Sequence, residues 1–114
     1  MSNKEFKDFQ KYFKEYQQKF GLTGYQVYFK YEPLDDGSFA QIVNDRNQSA
    51  TVTLNSSLPD RSKPFKDVRR SAKHEAIHLL LWRLENNAKW RYASKEEIDE
   101  AVEELVYKLE KLID

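Results

Sequence analysis

His74-Glu75-Ala76-Ile77-His78 sets two imidazoles four residues apart, with a carboxylate next to the first. On a helix, positions i and i+4 lie one turn apart on the same face, so His74 and His78 can hold one metal ion together. Glu75 stands roughly 100° around the helix from His74. That offset takes its carboxylate past the metal to the place where it can draw a proton from a water held there. Zinc lowers the pKa of such a water toward ~7, and a nearby carboxylate base completes the nucleophile. By chance the five-residue pattern falls in well under ~1% of chains of this size. These are also the only two histidines in the chain. The competing reading is a buried His–Glu hydrogen-bond cluster without metal.

The chain has no cysteine, so any transition metal must be held by histidine and carboxylates. A catalytic zinc commonly has three protein ligands and one open position. With no third histidine, the remaining ligand is expected from the acidic stretch near the C-terminus. Glu96 and Glu97 have an ordinary explanation in the first turn of a helix, which leaves Asp99, Glu100, Glu103 and Glu104. With a core stripe of Ile98, Val102, Leu105, Leu109 and Leu112, Glu103 and Glu104 flank the middle of that stripe, each roughly 130° away. Ala101, one turn before Glu104, permits close approach of the histidine helix. Glu104 is the expected third ligand, with Glu103 and then Glu100 behind it.

These residues need elements to position them. Phe6, Phe9, Phe13, Tyr16 and Phe20 recur at helical spacing, so 3–20 is expected to be an amphipathic helix packed on its aromatic face. Ser2 with Glu5 suits a capping box, and Gly21 suits its end. Alternation then predicts strands at 25–31, 39–43 and 49–55. The turns at Pro33–Ser38 and Asn44–Gln48 are short enough to imply an antiparallel meander. A helix from about 64 to 87, with Ser62 as N-cap, carries the histidines. Its Val68, Ala72, Ile77, Leu79, Leu80, Leu81, Trp82 and Leu84 leave it apolar nearly all round, as in a central buried helix. Ser94 with Glu97 opens a last helix through a capping box.

At 114 residues the chain is read as one α+β domain: an N-terminal helix, a three-stranded antiparallel sheet, a central HExxH helix and a C-terminal Glu-bearing helix. Its 39% hydrophobic and 33% charged residues are ordinary for a folded protein. No run reaches the length of a membrane span and no signal-peptide core is visible, so a cytoplasmic location without a membrane partner is expected. Net charge is zero. The basic stretch 61–73 and the acidic stretch 96–104 read as exposed faces of two helices that attract each other, in preference to a nucleic-acid patch.

The order of these elements resembles a minimal zincin of the gluzincin type. More narrowly, His74–Leu84 (HEAIHLLLWRL) followed by Ser94–Leu109 (SKEEIDEAVEELVYKL) resembles small metallopeptidases predicted in phages and prophages. The resemblance covers about the last fifty residues well and the first sixty in architecture alone. It implies His74 and His78 as zinc ligands, Glu75 as general base and one acid of the 103–104 pair as third ligand. It also implies a peptide or protein substrate. The longer metzincin motif is absent, because Leu79–Arg83 contains neither glycine nor a third histidine.

If the resemblance holds, strand 49–55 would be the edge that pairs with an extended substrate. Tyr107, Tyr92 and Arg91 are candidate donors to a developing oxyanion, though each has a structural explanation as well. Two other functions compete with a zinc peptidase. One is a binding module whose metal chiefly joins helix to helix. The other is a DNA-associated protease like the SprT-type family, using the basic stretch 61–73; the neutral net charge makes a nucleic-acid partner the weakest of the three.

Overall fold

The computed structural model describes residues 2–44, 49–88 and 94–113. The fold is α+β: α1 (Ser2–Lys19), β1 (Gln26–Glu32), β2 (Ala40–Asn44), β3 (Ser49–Asn55), a 3-10 turn (Lys63–Phe65), α2 (Val68–Ala88) and α3 (Lys95–Leu112). No helix among the described residues is long and apolar enough to cross a membrane.

The aromatic stripe of α1 behaves as its spacing predicts. Phe9, Phe13 and Tyr16 are buried, and the rings of Phe9 and Phe13 meet Phe29 of β1 edge to face. The helix ends where Gly21 adopts a positive φ. There the Leu22 amide donates to the Gln17 carbonyl and the Gly21 amide to that of Gln18. This pair of bonds satisfies carbonyls that the last turn would otherwise leave open. The Ser2 side chain of the expected cap lies outside the described residues, while Glu5 is turned to Lys66 and Tyr31 instead.

The sheet is not an antiparallel meander. Its order is β1-β3-β2, with β3 parallel to β1 and antiparallel to β2. The chain therefore leaves a gap after β1, lays down β2 beyond it, and returns through β3 to fill it. Burial decides this order. Ala50, Val52, Thr53, Leu54 and Asn55 are all buried, so β3 is covered on both faces and gains most from two flanking strands. The loop between β1 and β2 can cross two strand spacings, roughly 10 Å, because it is pinned in the middle. Asn55 accepts from the amides of Leu34 and Ser57 and donates to the Ser38 carbonyl. The expectation that 49–55 is an exposed edge fails for the same reason; β2 is the edge on the side of the histidine helix.

Two other boundaries move. The 63–65 turn is separate from α2, Ser62 makes no side-chain cap, and Asp67 Oδ1 accepts from the Arg70 amide at the start of α2. The Ser94–Glu97 capping box of α3 is present in full. Helix α2 packs on α1 and the sheet through Ala72, Ala76 and Leu79, and on α3 through Ile77. It is not buried all round, since Leu80 and Leu84 are exposed. On α3 the buried line is Ile98, Val102, Val106 and Glu110, whereas Leu105 and Leu112 face solvent. The inward face of α3 is thus turned from the expected stripe, and this decides which acid meets the histidines.

Candidate metal centre

The two histidines project from α2 as the i, i+4 spacing requires, toward α3. Glu103 meets them there. Its Oε1 lies 3.1 Å from His74 Nε2 and its Oε2 lies 3.0 Å from His78 Nε2. Ligand atoms of His74, His78 and Glu103 all fall within 4.8 Å of one another, so this group could hold a metal ion. Ligands at ~2.0–2.1 Å from a tetrahedral metal stand roughly 3.3 Å apart, close to the separations between Glu103 and both rings.

Glu104, the expected third ligand, is not brought to the histidines. Its side chain is 65% exposed and ion-paired with Lys108 one turn on; that Lys108 contact also holds its carboxyl below the ordinary value. Val102 and Val106 take the inward positions, so Glu103 falls on the rim facing α2 and Glu104 on the far side. Glu100 is likewise exposed. Among the described acids it is Glu103 that the fold places to offer a third ligand atom beside the two histidines.

A second carboxylate that the sequence reading missed completes the surroundings of His74. Glu110 Oε2 lies 2.5 Å from His74 Nδ1, and its Oε1 accepts from Arg70 Nε at the same distance. Glu110 is only 3% exposed. Burial pushes its carboxyl upward, but the Arg70 and His74 hydrogen bonds outweigh this and hold it below the ordinary value. Seven positions separate Glu103 from Glu110, a turn of roughly 700° that returns them to nearly one line on α3. The heptad spacing was legible in the sequence, but Glu110 sat next to the expected stripe residue Leu109 and was overlooked.

This arrangement has a consequence for protons. An ionised Glu110 can only accept, so the proton of a neutral His74 lies on Nδ1 and its Nε2 presents a lone pair. That lone pair and the Glu103 carboxylate then face each other as two acceptors at 3.1 Å. Such a group of converging acceptors needs a cation between them, either a metal ion or additional protons. The donor set of two imidazoles and one carboxylate suits a transition metal, and the carboxylate on Nδ1 is the partner that metal-bound histidines characteristically have.

Glu75 stands beside this group and is 7% exposed. Burial raises its carboxyl to about 7; the His74 ring works against the rise, and the neighbouring Glu103 and Glu110 carboxylates add to it. Glu75 lines two cavities, one on each side of His74. One of them runs along β2 past Ala40, Ile42 and Asn44 to His78, Trp82 and Glu103. A carboxyl with a pKa near neutrality, opening on the cleft beside a group that could hold a metal, can exchange protons with a molecule in that cleft.

Tyr107 lies next to His74, ring edge to ring face with centroids 5.1 Å apart. Tyr92 and Arg91 lie outside the described residues. Among the described residues no ion pair joins the two oppositely charged stretches, contrary to the expectation that they attract each other. Lys63 pairs with Asp60, Lys66 with Glu5 and Arg70 with Glu110, and Lys73 Nζ donates to the Ile113 carbonyl. Within 94–104, Glu97 caps its own helix and Asp99 pairs with Lys95. Compared with known proteins, the chain matches no family model, no curated protein and no solved structure.

Proposed function

We propose that this chain is a zinc-dependent metallopeptidase on a minimal zincin-like scaffold, with His74, His78 and Glu103 as metal ligands and Glu75 as general base. The observation that carries the proposal is the convergence of the three ligand atoms within 4.8 Å beside a buried carboxyl raised to about 7. Three ligands from one helix pair leave an open coordination position of the kind that catalytic zinc sites keep. Zinc, when bound, acts as a Lewis acid toward water and a substrate carbonyl.

The remaining work belongs to the chain. Glu110 holds His74 in the tautomer that presents Nε2. Glu75 takes a proton from water in the cleft and, at a pKa near neutrality, can return it to a leaving amine. The edge of β2 runs along the same cleft and has β3 on one side alone. Its outer backbone groups suit an extended peptide, which binds by adding a strand. That favours a peptide over a compact small substrate, and replaces strand 49–55 in this role.

The test is hydrolysis of a mixed peptide library by the zinc-loaded protein, read by mass spectrometry, next to Glu75→Gln. New termini in the wild-type digest that are absent with Glu75→Gln, which retains zinc, would support the proposal. Zinc retained with no hydrolysis at all would instead leave a metal that joins α2 to α3.

A further inference from the structure

The cavity on the other side of His74 from the β2 cleft has about 350 Å3 of space. It shares Ala40, His74 and Glu75 with that cleft, so the two adjoin at the candidate metal group. Its walls include Phe39, Phe65 and Tyr107, together with Asp67, Arg70 and Glu110. Phe65 is 76% exposed and Tyr107 49% exposed, although both stand beside a concave surface.

Arg70, Glu110 and Asp67 each have a partner within the protein. Arg70 Nε is bonded to Glu110, Glu110 also holds His74, and Asp67 caps the first turn of α2. A charged side chain packed against Phe39, Phe65 and Tyr107 would lose water without a buried counter-charge set aside for it, since Glu110 already holds Arg70 and His74. Ring surfaces remain: Phe39 from just before β2, Phe65 from the 3-10 turn and Tyr107 from α3. Three aromatics from three separate segments converge on one opening, and none is needed there to close the core. The size lies at the lower end of ligand pockets, which span ~300–1,000 Å3, and so suits one side chain with its adjoining backbone.

We infer that this cavity is a specificity subsite that takes a large uncharged side chain, aromatic by preference, from a peptide lying along the β2 cleft next to the bond at Glu75. The inference rests on the peptidase reading for the identity of the ligand, and on the cavity for its selectivity. Phe65 is the specificity-determining residue, because it is the most exposed of the three rings and is not among the residues of the buried core.

Binding and cleavage are tested separately with one set of blocked peptides, identical except for a central Phe, Leu, Ala, Lys or Asp. Affinity is measured for the Glu75→Gln protein by NMR titration, which also shows where the peptide sits. The Phe peptide is expected to bind about tenfold more tightly than the Ala peptide, with Lys and Asp weakest, as for one large apolar side chain entering a pocket. The shifts should centre on Phe39, Phe65 and Tyr107. Phe65→Ala should remove most of the preference and Phe65→Leu should restore part of it; because Phe65 is exposed, neither change threatens the fold. Equal affinities across the set, no binding at millimolar peptide, or a preference unchanged by Phe65→Ala would overturn the inference. Hydrolysis of the same peptides by the wild-type protein is scored independently. Selective binding without hydrolysis removes the peptidase reading and keeps the subsite, whereas hydrolysis without selectivity does the reverse.

Discussion

Glu110 Oε2 lies 2.5 Å from His74 Nδ1, on the opposite side of the ring from the Glu103 carboxylate. One helix thus supplies both the acid that could share a metal with His74 and the acid that orients it. Replacing Glu110 by Gln keeps the shape but removes the charge that fixes the tautomer. Metal affinity is expected to fall by about 10–100-fold while the fold is retained. Competition with a chelating dye, alongside circular dichroism, measures both; unchanged affinity would show that Nδ1 needs no carboxylate.

Glu103 and Glu104 are neighbours with opposite fates. Glu103→Ala removes the α3 ligand, so zinc binding should weaken by at least the same about 10–100-fold and its stoichiometry fall below one at micromolar protein. Glu104→Ala removes an exposed partner of Lys108 and should leave zinc content unchanged. Metal analysis of the two purified variants after dialysis decides it, and loss of zinc in Glu104→Ala would transfer the ligand role to that residue.

The raised pKa of Glu75 makes a stability prediction for the metal-free protein. Folding holds the proton up to about 7 against an ordinary value of 4.5. Below the ordinary value both states are protonated and folding bears no ionisation cost. Between about 4.5 and about 7 the unfolded chain has released the proton while the folded protein still holds it, so stability on the order of 3 kcal/mol is lost by the time pH passes about 7. Gln has no such titration. Metal-free Glu75→Gln should therefore be more stable than wild type at about pH 8.5, with the gap closing toward about pH 4.5. Urea unfolding at the two pH values reads it directly; a pH-independent gap would mean that Glu75 titrates normally.

Asn55 is expected to matter for the edge strand although it is remote from the metal group. Its side chain bonds Leu34, Ser38 and Ser57, and its amide donates to the Phe39 carbonyl just before β2. Asn55→Ala leaves the half-buried Leu34 amide and Ser38 carbonyl without this partner and should cost about 1–3 kcal/mol. Hydrogen exchange of the 34–43 amides is expected to accelerate more than that of α1. Uniform acceleration would mean that Asn55 supports the whole fold equally.

The local features were legible in the chain itself. Helical spacing of Phe9, Phe13 and Tyr16 placed α1, alternation placed Val27, Phe29 and Tyr31 on one face of β1, and Ser94 with Glu97 opened α3. The juxtaposition of His74 and His78, with Glu75 beside them, was readable because it needs only one turn of one helix, whose geometry follows from the backbone. Strand order was not. It turned on β3 being buried on both faces, a property of what packs above and below it. The third ligand was not either. Leu105 and Leu112 looked like core and Glu110 like surface, since hydropathy reports the average preference of a residue and not the rotation of its helix. Docking α3 on α2 through Val102 and Val106 set that rotation. The sequence by itself determined the donors of one helical turn; only tertiary packing decided that Glu103 joins them, that Glu110 orients them and that β2 borders their cleft, because each depends on how two separate elements meet.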